Sequence, residues 1–402
     1  MNFYDYAKDI ISERLEKRDT LKKVVENIKD ASANGRIAFY PCTKYTRIIL
    51  NNVIIHAPEI LPRVIGCFDK SDEANMGKGI DVYSIERLDE FKDKLSLLVV
   101  ASNAFYTKEL SDIKKVTDYD GPILRTSYFD ISLGDMEDKE ILSKIEEVYD
   151  LLADQKSKIT YLTTWISLLL NDEGLTYLFE GENEPSAQFG NYIFQGMDDP
   201  YREENPADLY QMRYVTLEKG DIVFDIGAFK GDTAIFFANS VSREGGVYSF
   251  EPVKDNYDYL VKNIEINGLQ DIVTSVNKGC SDKSGVLKLV SGKSGTSWSF
   301  LSEDDDIDEK AGVISIDDFV ALNNISKLDF IKMDVEGWEY RVILGALNTI
   351  KRFKPKLVIP LYHNSCDLIT IPLLINKISK YELYFRCKYQ GPYGFILYGI
   401  RK

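Results

Sequence analysis

Strand-sized and helix-sized apolar runs alternate along this chain in two blocks, with a stretch of purely helical spacing between them. Residues 1–35 have helical character, and "NGRIAFYP" then gives a short β-branched and aromatic strand behind a turn signal. One rhythm follows: helix-like "YTRIILNNVIIHA", strand-like "RVIGCFD", helix-like "SIERLDEFKDKL", strand-like "LSLLVVAS", helix-like "TKELSDIKKV", strand-like "GPILRTSYFD". Such alternation predicts a small parallel sheet with helical cover, a Rossmann-like α/β domain over 36–130.

Residues 131–205 change character. "EDKEILSKIEEVYDLLADQKSKITYLTTWISLLL" places apolar residues at helical spacing and is poor in glycine and proline, so it reads as a helical connector. "GENEPSAQFGNYIFQGMDDPYREENPADLY", residues 181–210, reads as a loop whose aromatics cover something.

In the last segment, 206–402, the alternation returns. Strand "DIVFDIG" leads to helix "DTAIFFANS", strand "GGVYSFEP" to helix "NYDYLVKNIEING", and strand "DIVTSVNKGC" to a hairpin-like excursion, "SGVLKLVSG" to "VISIDDFV". Strand "LDFIKMD" then leads to helix "EYRVILGALNTIKR" and strand "KPKLVIPLYH" to helix "DLITIPLLINKIS", before "YELYFRCKYQ" and "GFILYGI" close a hairpin around "GPYG". The prediction is a doubly wound α/β sheet with one reversed strand at or near its edge.

Composition narrows the function. A length of 402 residues fits two domains, and a formal charge of −15 excludes a protein that tracks nucleic-acid phosphates. The five cysteines are odd in number and widely spaced, as expected of reduced thiols in a cytoplasmic protein. The N-terminus reads as a charged amphipathic helix without a signal-peptide core, and "YLTTWISLLL" is too short to span a bilayer.

The chemistry gathers at predicted strand ends, where doubly wound sheets hold their ligands. The loop "FDIGAFKGDT" carries Gly227 and Gly231, which let a cofactor lie against backbone. Twenty-four residues past Gly227, the next strand ends in Glu251 and Pro252, and a carboxylate there accepts both hydroxyls of a ribose. Either a dinucleotide or another adenosine cofactor fits that much. A pyrophosphate requires G-x-G-x-x-G, whereas this loop is G-x-x-x-G followed at once by Asp232, which repels phosphate. An acid at each end, Asp225 and Asp232, suits the ammonium and sulfonium of S-adenosylmethionine (SAM).

"VFDIGAFKGDTAIFF", "GGVYSFEPVKDNYDYLVKNIEIN", "IKMDVEGWEYRVILGA" and "KPKLVIPLYHNSCDLITIP" resemble, in order and spacing, the FkbM-type SAM-dependent methyltransferases over about residues 175–402. The resemblance implies a class I SAM-methyltransferase sheet with a terminal antiparallel hairpin, and methylation of a sugar or natural-product hydroxyl. Carried onto this sequence, Asp225, Gly227, Ala228, Phe229, Gly231, Asp232 and Thr233 form the cofactor loop, and Glu251 with Pro252 the ribose site. Cys280 and Asp282, in "GCSD", fall where such enzymes contact adenine, although "SDKSG" equally reads as a plain turn.

Methyl transfer to an alcohol is an in-line displacement that benefits from a base for the hydroxyl proton. His363 ends the fifth strand of the segment and is the expected base, with Asp334 and Glu336 at the fourth strand's end positioning it or binding acceptor. Glu339 falls in a first helical turn, where an acid favours the helix dipole. Asn364, Trp298 and Tyr192 are candidate acceptor contacts, the last two from aromatic loop segments that also hold Phe194 and Tyr201. A Mg²⁺ ion on Asp334, Glu336 and His363 is conceivable chemistry but is not expected, since no further motif demands one.

His56 follows an apolar run and reads as packing. The first domain has no glycine in its loop "FYPCTKYTR", so acceptor docking or dimerisation is expected of it before nucleotide binding. Thr43, Lys44 and Thr46 mark an alternative anion site at a helix start. The leading expectation is a SAM-dependent O-methyltransferase acting on a carbohydrate or other small acceptor, without nucleic-acid or membrane partners. A non-catalytic SAM-fold interaction protein and a nicotinamide oxidoreductase are the competing classes.

Overall fold

The computed structural model describes residues 3–18, 20–70, 79–102, 113–170, 175–178, 186–189, 192–195, 210–291, 299–302, 310–387 and 394–402. The chain divides into two compact units: Met1–Ile145 with Leu162–Thr176 and Gln188–Tyr192, and Glu146–Tyr161 with Tyr177–Ala187 and Ile193–Lys402. No helix among the described residues is long and apolar enough to cross a membrane.

In the first unit, strands β1 (Arg36–Tyr40), β2 (Val64–Asp69), β3 (Val82–Ser84), β4 (Leu95–Ser102) and β5 (Ile123–Ser127) form a parallel sheet in the order β3-β2-β1-β4-β5. Ile37 and Phe39 of β1 face one apolar cluster and Ala38 and Tyr40 the other, the two-residue period of a strand covered on both faces. The N-terminal segment is two helices, Phe3–Leu15 and Leu21–Ala31; Thr20 starts the second, its Oγ1 accepting the Lys23 N–H at 3.2 Å. "SIERLDEFKDKL" forms 3-10 turns over Ile85–Glu90 and Lys92–Lys94 instead of an α-helix. Its buried residues, Ile85 and Leu88, are three apart, which a helix with three residues per turn satisfies.

Helices Asp138–Leu151 and Gln155–Leu170 follow. Strands β6 (Leu175–Leu178), β7 (Ser186–Phe189) and β8 (Tyr192–Gln195) lie at the end of the connector and within the segment expected to be a loop.

The second unit holds a sheet of β9 (Ile222–Ile226), β10 (Gly246–Phe250), β11 (Val273–Val276), β16 (Phe330–Met333), β17 (Lys356–Pro360), β18 (Tyr381–Cys387) and β19 (Phe395–Arg401). Its order, β11-β10-β9-β16-β17-β19-β18, is 3-2-1-4-5-7-6 when only its own strands are counted. β19 runs antiparallel to both neighbours and is the expected reversed strand. "DIVTSVNKGC" splits, because β12 (Gly279–Cys280) leaves this sheet for a second one with β13 (Gly285–Ser291), β14 (Ser299–Ser302) and β15 (Lys310–Ile314). The expected hairpin partners, β13 and β15, do pair antiparallel there.

"EYRVILGALNTIKR" forms two helices, Glu339–Leu344 and Leu347–Phe353. Gly345 separates them, packed so tightly that a Cβ would stand 2.0 Å from the Ser281 carbonyl oxygen.

Candidate active site

Register assembles the site. Ile226 of β9 pairs with Phe250 of β10 on one side and with Met333 of β16 on the other. The next residue of each strand, Gly227, Glu251 and Asp334, therefore emerges in one row at the carboxyl edge of the sheet. Gly227 has φ +80°, and a Cβ on it would lie 1.9 Å from the Asp334 carbonyl oxygen. Glycine alone lets the two turns touch.

A cavity of about 290 Å³ opens above this row. On one side it is lined by Gly227, Phe229, Asp232, Thr233, Glu251 and Pro252, with Asn256 and Cys280 beyond. On the other it meets Tyr210, Lys332, Asp334, Glu336 and Tyr362.

The Glu251 carboxylate is buried and accepts the Phe229 N–H at 3.0 Å and the Val253 N–H at 2.9 Å. Burial pushes its pKa up to about 7 against the pull of those donors. The Asn256 side chain adds to that pull, and the carboxylate lines the cavity, where it can accept hydroxyl donors. The Gly227 and Ala228 N–H groups both donate to the Phe250 carbonyl at 3.0 Å, which fixes the loop against β10. Phe229 takes φ +47°, a left-handed backbone uncommon for a bulky residue, and its side chain lines the cavity.

Several expected contacts lie behind this lining. Asp225 is wholly buried, accepts the Thr233 hydroxyl at 2.8 Å and pairs with Lys332 Nζ at 3.1 Å. It supports the loop from below, with Ala228 buried and Gly231 starting the next helix. Asp282 pairs with Arg341 at 3.2 Å and accepts the Ser281 hydroxyl at 3.0 Å, outside the cavity lining. Cys280 does line the cavity, and burial pushes its thiol pKa up, which keeps it an unreactive wall. Asn364 donates to the Gly337 carbonyl at 3.0 Å and so braces the turn that presents Glu336. Trp298 and Tyr201 lie outside the described residues; for Tyr192 and Phe194 the description stops at the backbone of β8.

Asp334, Glu336 and His363 converge as expected. His363 Nε2 stands 3.6 Å from Asp334 Oδ1 and 3.5 Å from Glu336 Oε2. Glu336 adopts φ +55° and Gly337 φ +95°, a strained turn of the kind that concentrates at functional sites.

Glu339 does more than start a helix. Its carboxylate is fully buried, and Oε1 accepts both the His363 Nδ1 proton at 2.8 Å and the Val335 N–H at 3.0 Å. Burial by itself would lower the His363 pKa, but the charge and hydrogen bond of Glu339, with Asp334 and Glu336 adding to them, raise it to about 9. At neutral pH this favours the imidazolium over the neutral base expected from an ordinary histidine.

Tyr210, Lys332 and Asn256 were not expected. Tyr210 donates its hydroxyl to Asp334 Oδ2 at 3.0 Å, and its ring covers Lys332 Nζ at 5.2 Å. Lys332 donates to the Gly227 carbonyl at 2.7 Å. A signal for Lys332 was present, since a lysine inside an apolar strand requires a buried partner. Tyr210 closes the aromatic segment 181–210 that was expected to cover something, but no motif singled it out.

The 3-2-1-4-5-7-6 order with its reversed strand, and the ligand cavity at the first strand's carboxyl end, define a class I SAM-methyltransferase fold. Residues 225–376, which lie within the second unit, match the methyltransferase FkbM domain. The chain is 24% identical over 172 residues to the hexuronic acid methyltransferase AglP of Haloferax volcanii, a match that covers 42% of this chain and 69% of that protein. The crystal structure of methyltransferase FkbM from Methylobacillus flagellatus KT shares the fold with a TM-score of 0.53 at 18% identity, covering 98% of this chain and 97% of that one.

Proposed function

We propose that this protein transfers the methyl group of SAM to a hydroxyl of a sugar, glycan or related natural product. The observation that carries this reading is the division of one cavity into two chemically distinct ends. At one, the bare backbone of Gly227 and the Glu251 carboxylate suit an adenosine cofactor. At the other, Asp334 and Glu336 line the cavity with the buried His363 set behind them, and together they would receive an acceptor hydroxyl. SAM supplies a methyl group on a positively charged sulfonium, and the acids at that end favour its approach.

The chain's own task is to hold the acceptor oxygen in line and to receive its proton within the Asp334–Glu336–His363 cluster. A sugar acceptor is supported by the hexuronic acid named for the Haloferax relative. For the first unit we propose docking of the acceptor or dimerisation.

Calorimetry with SAM and S-adenosylhomocysteine tests the reading. Micromolar binding is expected, with its collapse in Glu251→Ala. Mass spectrometry of candidate glycans then reads transfer, which His363→Ala should abolish while sparing SAM binding. Absence of SAM binding to the wild type overturns the proposal.

A further inference from the structure

We infer that Asp334, Glu336 and His363 form a binding site for a divalent cation of the Mn²⁺ or Mg²⁺ class, placed at the acceptor end of the cavity. One ligand atom from each residue lies within 4.8 Å of the others, and the three come from two separate strand ends. Distance discriminates between direct pairing and a shared ion. A charge-assisted N–H to carboxylate bond is about 2.7–2.9 Å long. His363 Nε2 instead stands 3.6 Å from Asp334 and 3.5 Å from Glu336. Two ligands about 2.1–2.2 Å from a common centre are roughly 3.0 to 3.6 Å apart, depending on coordination geometry.

The surroundings are those of a metal site as well. Glu339 holds Nδ1 at 2.8 Å from full burial, which turns Nε2 toward the acids, as carboxylates commonly do behind a ligating histidine. Tyr210 holds Asp334 Oδ2 at 3.0 Å and leaves Oδ1 on the histidine side. Asp334 and Glu336 line the cavity and keep 22% and 33% of their side-chain surface, so an ion can enter and retain open positions. Two carboxylates make the set oxygen-rich, as Mn²⁺ and Mg²⁺ require, and the imidazole favours the transition metal of the two.

A hydroxyl bound at an open position becomes more acidic and is fixed in place, so His363 serves as a ligand when the ion is bound. That use of the ion rests on the proposed hydroxyl acceptor; the binding of the ion does not.

The test strips the full-length protein with EDTA and titrates Mn²⁺, reading free Mn²⁺ by electron paramagnetic resonance. One tight Mn²⁺ per chain is expected, weakened at least tenfold in Asp334→Asn and Glu336→Gln. Glu339→Gln keeps all three ligands and is expected to weaken it by about 10- to 100-fold. Glu336 is the most exposed ligand, so its variant remains informative if another misfolds. Absence of tight binding in the wild type, or equal binding in wild type and Glu336→Gln, overturns the site. SAM calorimetry on the same samples separates the two proposals. Mn²⁺ binding without SAM binding overturns the methyl-transfer reading alone, and full transfer in EDTA overturns the ion's part in the reaction.

Discussion

Lys332 Nζ lies 2.7 Å from the Gly227 carbonyl oxygen and 3.1 Å from Asp225 Oδ1, with both side chains shut off from solvent. One cation thus ties the glycine loop after β9 to the strand that leads to Asp334. The pair is anchorage for the loop, a different role from the ammonium contact expected of Asp225. Removing one partner strands the other charge in the interior, so Lys332→Met is expected to cost about 3–5 kcal/mol of stability. The double variant Asp225→Asn/Lys332→Met should recover a large part of that loss. Denaturant unfolding of the three proteins checks it, and a double variant as unstable as the single one contradicts the pairing argument.

The contact between Gly227 and Asp334 makes a second position intolerant. In Gly227→Ala the new Cβ would stand 1.9 Å from the Asp334 carbonyl oxygen, on a residue with φ +80°. The backbone must move to accept it. We expect a stability loss above about 1 kcal/mol and, more tellingly, loss of SAM binding by calorimetry in protein that remains folded.

Cofactor binding should depend on pH through Glu251. Its pKa is about 7, because burial disfavours the carboxylate. In the proposed binding mode the ionised form accepts both ribose hydroxyls, so SAM affinity should fall as pH drops through 7. If only that form binds, the loss from pH 8 to pH 6 is about tenfold. Stability measured without SAM moves the other way. The folded pKa is raised above the ordinary 4.5, so this group's contribution is most favourable below that value and is lost as pH rises toward 7. Thermal unfolding with and without SAM at pH 6 and pH 8 reads both signs, and Glu251→Ala should flatten both.

The frame of this site was legible because its residues follow local rules. The strand endings "FDIG", "SFEP" and "IKMD" announced Gly227, Glu251 and Asp334, and the register of the parallel strands put them in one row. What periodicity cannot supply is the partner of a buried charge. Glu339 has the same local sequence whether it faces water or His363, and only the fold brings β17 close enough to decide. Asp282 shows the converse: its motif suggested adenine, whereas Arg341, fifty-nine residues on, holds it outside the cavity. The second sheet was missed for a related reason. β12 is two residues long, and a segment that short carries no period from which a change of sheet can be read.

Tyr210→Phe isolates the contribution of one hydroxyl to the reactive end of the cavity. The ring that covers Lys332 at 5.2 Å is retained, and only the 3.0 Å bond to Asp334 Oδ2 is lost. Asp334 keeps 22% of its side-chain surface, so water can take the vacated position. The stability loss should therefore stay below the roughly 1.5–3 kcal/mol of a fully buried bond to a charged group. Turnover is more sensitive, because an Asp334 free to rotate no longer holds its other oxygen toward His363. A displacement near 1 Å costs as much as about a hundredfold in rate, so we expect methyl transfer to fall by about ten- to a hundredfold. SAM affinity should hold within about twofold, since Gly227 and Glu251 are untouched and 1.4 kcal/mol is needed for each tenfold change. Rate and affinity falling together would place Tyr210 with the cofactor instead of the acceptor.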